Sequence, residues 1–395
     1  MPPVPSPYFA FLLDVGSTTL ELELCDADGH VLSSRREINP QTAVGKDVIS
    51  RIRFCTEHGT DRCRALLLRA LQKMLGEIEE ELGLVPDETA ALPLYAAGNT
   101  TMLHLFLGKD VSGLGAYPYT PVFTEEQRTT VPELSLYGIG DVITLPCISA
   151  YVGADTVAGV LACGMPPRGR YHLLCDLGTN AEIALWSQDR LLVTSAAAGP
   201  CFEGGNLTCG MPAVPGAVCA FTLSADGETG RFETVGDAPA KGICGSALFD
   251  IVAALRACGK ADESGFLTDG FFPLTKEIHF LQQDMRAFQT AKAAVAAGME
   301  LLLQKAGISP ENIGQLYLAG GFSGGLNVEN AAACGLFPAD LAPRAVPVGN
   351  SVLPGLRRYF RGETSALSLL DTAEALDLSL DDGFQAAFLK NINFG

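Results

Sequence analysis

The pattern Asp-x-Gly-[Ser/Thr]-[Thr/Asn] occurs twice, at Asp14-Val15-Gly16-Ser17-Thr18 and at Asp176-Leu177-Gly178-Thr179-Asn180, 162 residues apart. Each copy follows an apolar run, residues 9–13 and 171–175. Alternation then resumes, with Leu20, Leu22 and Leu24 opposed to Glu21 and Glu23 in the first copy and Ala181, Ile183 and Leu185 in the second. Both read as a strand, a tight turn and a returning strand. A chain that builds this unit twice is constrained to two lobes of related design. With the aspartates aligned, the second alternation runs one residue out of phase, so a one-residue difference after the turn is expected.

The rest of the pattern fits two α/β lobes. At 395 residues the chain exceeds one ordinary core. Between residues 62 and 82, Leu67, Leu71, Met74, Leu75, Ile78 and Leu82 recur at helical spacing, which predicts an amphipathic helix. Residues 92–97 read as a strand leading through Gly98-Asn99-Thr100-Thr101 into an apolar helix, with Asn99 or Thr100 as its cap. Residues 242–246 are expected to open a helix through Ala257 and Asp284 a long one through Leu303, and residues 315–319 read as a strand before the loop Gly320-Gly321-Phe322-Ser323-Gly324-Gly325. The Pro- and Gly-rich stretch 165–170 sets the boundary. The first lobe is expected over 1–168, the second over 169–349, and 350–395 as a C-terminal segment packing back on the lobes.

The parts of the turn specify a chemistry. Its glycine (Gly16, Gly178) lets backbone approach a phosphate, and the side chains of Ser17, Thr18, Thr19, Thr179 and Asn180 donate to oxygens. Asp14 and Asp176 would reach a Mg2+ ion, which takes one or two carboxylates alongside phosphates and water. The net charge of -18 disfavours nucleic acid and anionic membranes, so a phosphate site must be local, built from N–H groups and a metal. Twelve cysteines without a C-x-x-C pair read as reduced thiols. The Pro-rich start has no signal-peptide pattern and no apolar stretch of spanning length follows, so a cytoplasmic chain with no membrane partner is expected.

Residues 14–24, 176–185 and Leu318-Ala319-Gly320-Gly321-Phe322 resemble the two phosphate segments and the adenosine segment of the actin, hexokinase and heat-shock chaperone ATPase superfamily. The resemblance narrows on longer motifs. Asn39-Pro40-Gln41, Gly45-x-Asp47-Val48-Ile49-Ser50, Gly98-Asn99-Thr100-Thr101-Met102, Ser195–Pro200 with Phe202-Glu203-Gly204, and Cys209-Gly210-Met211 are similar to the ATPase portion of reductive activators of corrinoid proteins. That similarity runs from about Phe9 to the segment around Phe384.

The resemblance implies an actin-like, two-lobed α/β fold with ribonuclease H-like duplicated lobes and Mg-ATP in the cleft between them. It implies an ATPase that couples ATP to the return of an inactive Co(II) corrinoid, or similar low-potential redox protein, to Co(I). Better-known members carry the electron on an N-terminal ferredoxin-like domain, and this sequence reaches its first phosphate turn almost at once. A separate donor such as a ferredoxin is therefore expected, with no iron–sulfur cluster in this chain beyond one option: a cluster between subunits of a homodimer through Cys201, Cys209, Cys219 or Cys244. Asp155 matches the superfamily's acidic residue near the attacking water, and joins Asp176 as a catalytic candidate; capping its own helix is the alternative. Glu203 is a weaker candidate. Gly242, Gly245 and Ser246 are implied on the adenine side, with Gly320, Gly321 and Phe322 at the adenosine.

Two other functions on this fold are a small-molecule kinase and a nucleotide-gated scaffold. Gly321-Phe322-Ser323-Gly324-Gly325 also fits the G-x-S-x-G of an α/β-hydrolase, but no histidine follows His279, so the triad order cannot be completed. None of the five histidines reads as a metal ligand.

Overall fold

The computed structural model describes residues 10–85, 89–130, 134, 136–224, 227 and 230–394; the Pro-rich start and Phe9 lie outside them. The chain divides into two compact units, Met1–Met165 with Ser351–Asp371, and Pro166–Asn350 with Thr372–Gly395. The stretch 350–395, expected as one segment, is thus shared between the units.

In the first unit, β1 (Ala10–Val15), β2 (Thr19–Cys25), β3 (Val31–Ile38), β4 (Leu94–Ala97), β5 (Gln127–Thr129) and β6 (Val142–Thr144) form one sheet in the order β3-β2-β1-β4-β6-β5. β1 is buried along nearly its whole length, as a strand covered on both faces must be. β2 buries Leu20, Leu22 and Leu24 and leaves Glu21 and Glu23 half-buried, the alternation read from sequence. The helices α1 (Val48–His58) and α2 (Asp61–Leu82) follow. α2 buries Cys63, Leu67, Leu71, Met74, Leu75 and Ile78 on one stripe and ends at Gly83 in the left-handed conformation, φ 65°. α3 (Thr100–Leu107) is capped by Asn99, whose side chain accepts from the Met102 N–H at 2.9 Å. α4 (Ala154–Cys163) closes the series.

The second unit repeats the plan. Its large sheet contains β7 (Tyr171–Leu177), β8 (Ala181–Trp186), β9 (Leu191–Ala196), β10 (Ile313–Ala319), β11 (Ala345–Gly349) and β12 (Ala373–Leu376), ordered β11-β10-β7-β8-β9-β12. In each unit an antiparallel three-strand meander is extended by two parallel strands laid beside its first strand. The register locates the one-residue difference between the copies. Asp14 lies opposite Glu21 and Val15 opposite Leu20, whereas Asp176 lies opposite Glu182 and Leu177 opposite Ala181. The extra residue is in the first turn.

The helices α5 (Gly245–Ala257) and α6 (Gln282–Ala306) follow, and α6 packs on β8 and β9. α6 is alanine-rich, and a Cβ on its Gly298 would stand 2.8 Å from Ile183 Cδ1, so small residues let it lie close on the sheet. Asp284 holds its start, accepting from the Leu281 N–H at 2.8 Å and the Thr208 N–H at 2.7 Å. Phe202, Phe249, Phe288 and Phe322 stack in the core beside it.

Candidate functional site

In each unit the aspartate stands at the C-terminal end of the meander's first strand, the end at which open α/β sheets bind ligands. The next parallel strand ends beside it, with Ala97 in register with Asp14 and Ala319 in register with Asp176. A glycine follows in both cases. A Cβ on Gly98 would lie 2.6 Å from the Val15 carbonyl oxygen, and one on Gly320 would lie 2.3 Å from that of Leu177. Both loops therefore close on the residue after the aspartate, and only glycine permits the approach. The Gly98 loop is thus the counterpart of the Gly320 loop, and both are entered through the same run, Leu-Tyr-x-Ala-Gly, at 94–98 and 316–320.

The first turn is held from behind. Asn39 Nδ2 donates to the Gly16 carbonyl at 2.8 Å, Arg51 Nη2 to the Ser17 carbonyl at 2.6 Å, and the Asn39 N–H to the Thr18 carbonyl at 2.8 Å. With three successive carbonyls engaged, the turn's amide N–H groups and the side chains of Ser17, Thr18 and Thr19 are what it offers to an anion. Thr18 is exposed, and Asp14, Gly16, Ser17 and Thr19 are half-buried.

Asp155 stands against the Gly98 loop in the same unit. Its N–H donates to the Gly98 carbonyl at 3.3 Å, and its Oδ1 accepts from the Thr156 N–H at 2.8 Å, in the first turn of α4. A Cβ on Gly153 would fall 2.4 Å from Asn99 Cα, so this helix start is pressed against the Gly98 loop. Burial pushes the Asp155 carboxyl up to about 6. It does not cap the helix: the N-cap is Gly153, with no side-chain bond.

In the second unit, Asp176, Gly178, Thr179 and Asn180 are half-buried, and the Gly178 N–H reaches the Asn180 carbonyl at 3.2 Å. The Thr179 hydroxyl donates to Glu203, which brings the weaker candidate into contact with the turn. Glu203 ends a short 3-10 turn, Pro200–Glu203, in front of Gly204 at φ 83°. Gly245 starts α5, where a Cβ would strike the Phe202 carbonyl oxygen at 1.8 Å. Ser246 is buried and donates to the Cys219 carbonyl at 2.7 Å, and Gly242 is buried against Cys209 and Met211. Gly325 and Ser246 approach to 3.6 Å, measured from a Cβ on the glycine, so the adenine-side and adenosine-side candidates meet.

Phe322 departs from the simplest expectation. Its ring is buried against Phe202 and Phe249, so only its backbone and the exposed Gly321 are presented at the surface of the loop. Ser323 is fully buried, donates to the Gly320 carbonyl at 2.9 Å and accepts from the Gly349 N–H at 3.2 Å. A serine held so is a loop brace and no nucleophile, in line with the rejected hydrolase motif.

His104 is buried, with Nδ1 2.7 Å from the Thr100 carbonyl and Nε2 accepting from the Val122 N–H at 3.0 Å, so both ring nitrogens are engaged. Cys201 and Cys244 are buried and Cys209 and Cys219 are half-buried, and the thiols of Cys209, Cys219 and Cys244 each lie beside a backbone carbonyl. Among the described residues the one metal-sized group of ligands is Asp26, Asp28 and His30, a surface turn in which Asp26 accepts from the N–H groups of residues 28 and 30. Sequence reasoning missed Arg51. Its signal was its place on the buried face of α1, four residues before Cys55.

Among the described residues no helix is long and apolar enough to cross a membrane. A reductive activator for a corrinoid, iron–sulfur protein has a solved structure that matches with a TM-score of 0.86 at 30% identity, over 99% of this chain and 66% of that one. This chain thus spans just under two thirds of that protein. The corrinoid activation enzyme RamQ of Eubacterium limosum is 28% identical over 98% of this chain and 71% of its own length. A [Co(II) methylated amine-specific corrinoid protein] reductase of Methanosarcina barkeri is 22% identical over 98% of this chain and 77% of its own. Residues 9–168 match the RACo middle region, and residues 170–395 match the C-terminal domain of RACo, the ASKHA domain; the chain belongs to the RACo family.

Proposed function

We propose that this protein binds and hydrolyses Mg-ATP and couples it to the reductive reactivation of a corrinoid protein, with the electron supplied by a separate donor such as a ferredoxin. The observation that carries the reading is the first turn, whose three carbonyls are held from behind, beside an aspartate at a strand end. The names of the relatives supply the corrinoid partner.

The donor set fits a magnesium nucleotide. Asp14 and Asp176 are half-buried carboxylates at strand ends, the hard oxygen ligands that Mg2+ prefers. Ser17, Thr18 and Thr19 in one turn, and Gly178, Thr179 and Asn180 in the other, donate to phosphate oxygens. Gly320, Gly321 and the backbone of Phe322, with Gly242, Gly245 and Ser246, form the wall for the adenosine. Asp155, ionised above about 6, orients the attacking water and accepts its proton. ATP supplies the free energy that drives an unfavourable one-electron reduction, each tenfold bias corresponding to about 59 mV.

The test uses purified protein, ATP, a chemical reductant and a Co(II) corrinoid protein, with the corrinoid spectrum followed over time. Recovery of Co(I) that depends on both protein and ATP supports the proposal. ATP hydrolysis without any acceleration of Co(I) recovery across corrinoid partners overturns it.

A further inference from the structure

Arg51 is fully buried, yet no carboxylate lies within 4.0 Å of it among the described residues. Its donors go to neutral groups. Nε reaches the Gly45 carbonyl at 3.0 Å, Nη1 reaches Gln41 Oε1 at 3.3 Å and Met102 Sδ at 3.1 Å, and Nη2 reaches the Ser17 carbonyl at 2.6 Å. Asp47, the cap of its own helix, supplies a counter-charge only from beyond ion-pair distance; a buried charge so weakly compensated is costly, and a fold keeps one where an anion completes it. The anion must come from the direction in which the guanidinium points, through the turn that starts at Asp14.

The surrounding motif is built to put this cation there. Asp47 and Ser50 form a reciprocal cap, Asp47 accepting from the Ser50 N–H at 2.8 Å, and so start α1 one turn before Arg51. Gly45 leaves the room: a Cβ on it would lie 2.9 Å from Arg51 Cγ and 2.7 Å from Arg51 N. Asn39, preceding Pro40, holds the carbonyls on either side of Ser17. Gln41 is fully buried and anchors the segment to the Cys63 carbonyl at 2.9 Å. The Asn39-Pro40-Gln41 and Gly45-x-Asp47-Val48-Ile49-Ser50 motifs, unexplained by the phosphate turns themselves, become one device.

We propose that Arg51 is a positioning residue for nucleotide phosphate: with Asn39 it turns the carbonyls of residues 16–18 away from the ligand, and its weakly compensated charge is balanced when a phosphate settles on the other side of the turn. This rests on the nucleotide reading above. The general lack of basic surface in a chain of net charge -18 makes such a buried cation the local source of positive potential at the turn.

The experiment is Mg-ATP titration by calorimetry of the wild-type protein and of Arg51→Gln, Arg51→Lys and Asn39→Ala, with the thermal upshift by Mg-ATP read in parallel. Arg51→Gln, which keeps a donor and loses the charge, is expected to bind Mg-ATP about 30-fold more weakly, and Arg51→Lys, which keeps the charge, to recover most of that loss. Asn39→Ala is expected to weaken binding about fivefold and remains decisive if Arg51→Gln does not fold. Gln and Lys variants that are equally weak would reduce Arg51 to packing and overturn the proposal, as would wild-type affinity in Asn39→Ala and in whichever Arg51 variants fold. A wild-type protein that binds no Mg-ATP overturns the nucleotide reading itself, and is seen before any variant is compared.

Discussion

A Cβ on Gly320 would stand 2.3 Å from the carbonyl oxygen of Leu177, the residue that follows Asp176. Gly320 also has φ 110°, which a side chain resists. Gly321, its neighbour, meets nothing within 4 Å and is exposed. Gly320→Ala is expected to cost at least about 2 kcal/mol and to lower the melting temperature by about 5 °C or more. Gly321→Ala is expected to leave the melting temperature unchanged and to weaken Mg-ATP binding, since its methyl group intrudes on the adenosine wall. Thermal melts with and without nucleotide separate the two effects.

The catalytic role proposed for Asp155 ties the pH dependence of activity to that of stability. Its carboxyl titrates near 6 in the folded protein against an ordinary 3.8, because burial disfavours the charge. The folded state therefore holds the proton more tightly, and stability falls as pH rises from about 4 to about 6. Asp155→Asn is expected to melt at a higher temperature than wild type at pH 8 and at a similar one at pH 4. Its ATP turnover should drop about 100-fold, and the acidic limb near pH 6 in the wild-type rate profile should vanish. Melting curves and rate profiles over pH 4–9 check both outcomes.

The Thr179 hydroxyl already has an acceptor in Glu203. A carboxylate at this place competes with phosphate for the hydroxyl and repels it. Glu203→Gln is therefore expected to bind Mg-ATP about fivefold more tightly, roughly 1 kcal/mol. Calorimetric titration of the variant reads this directly, and weaker binding would instead make Glu203 part of the phosphate site.

The thiols should divide by burial. Cys25, Cys55, Cys147, Cys201 and Cys334 are buried, and desolvation pushes each up to about 12. Cys163, Cys209 and Cys258 are half-buried. Iodoacetamide at pH 8 is expected to label the second group first and to leave the first group unmodified until the protein unfolds, as read by peptide mass spectrometry.

What the sequence made legible follows from where the signal is local. The two aspartate turns, the stripe of α2 and the Asn99 cap each depend on residues within a turn or two, and each stands in the structure as read, except that Leu82, at the end of the stripe, is exposed. Even the one-residue offset between the repeats was visible in the alternation, since β-strand side chains have a strict period of two. Contacts distant in sequence were not visible. Arg51 reaches a carbonyl 34 positions away, and Glu203 a hydroxyl 24 away. Phe322 looked like a ligand contact because of its loop, yet its ring completes an aromatic core supplied by residues 202, 249 and 288.

Asp176 is the carboxylate that the proposed Mg-ATP site most directly requires. Mg-ATP titrated into the wild-type protein and into Asp176→Asn, with and without magnesium, isolates the carboxylate's contribution at an unchanged fold, checked by equal melting temperatures without nucleotide. The expected result is magnesium-dependent binding in the wild type and a loss of at least about tenfold, 1.4 kcal/mol, in the variant. Equal affinity in both proteins, or binding indifferent to magnesium, would contradict the site.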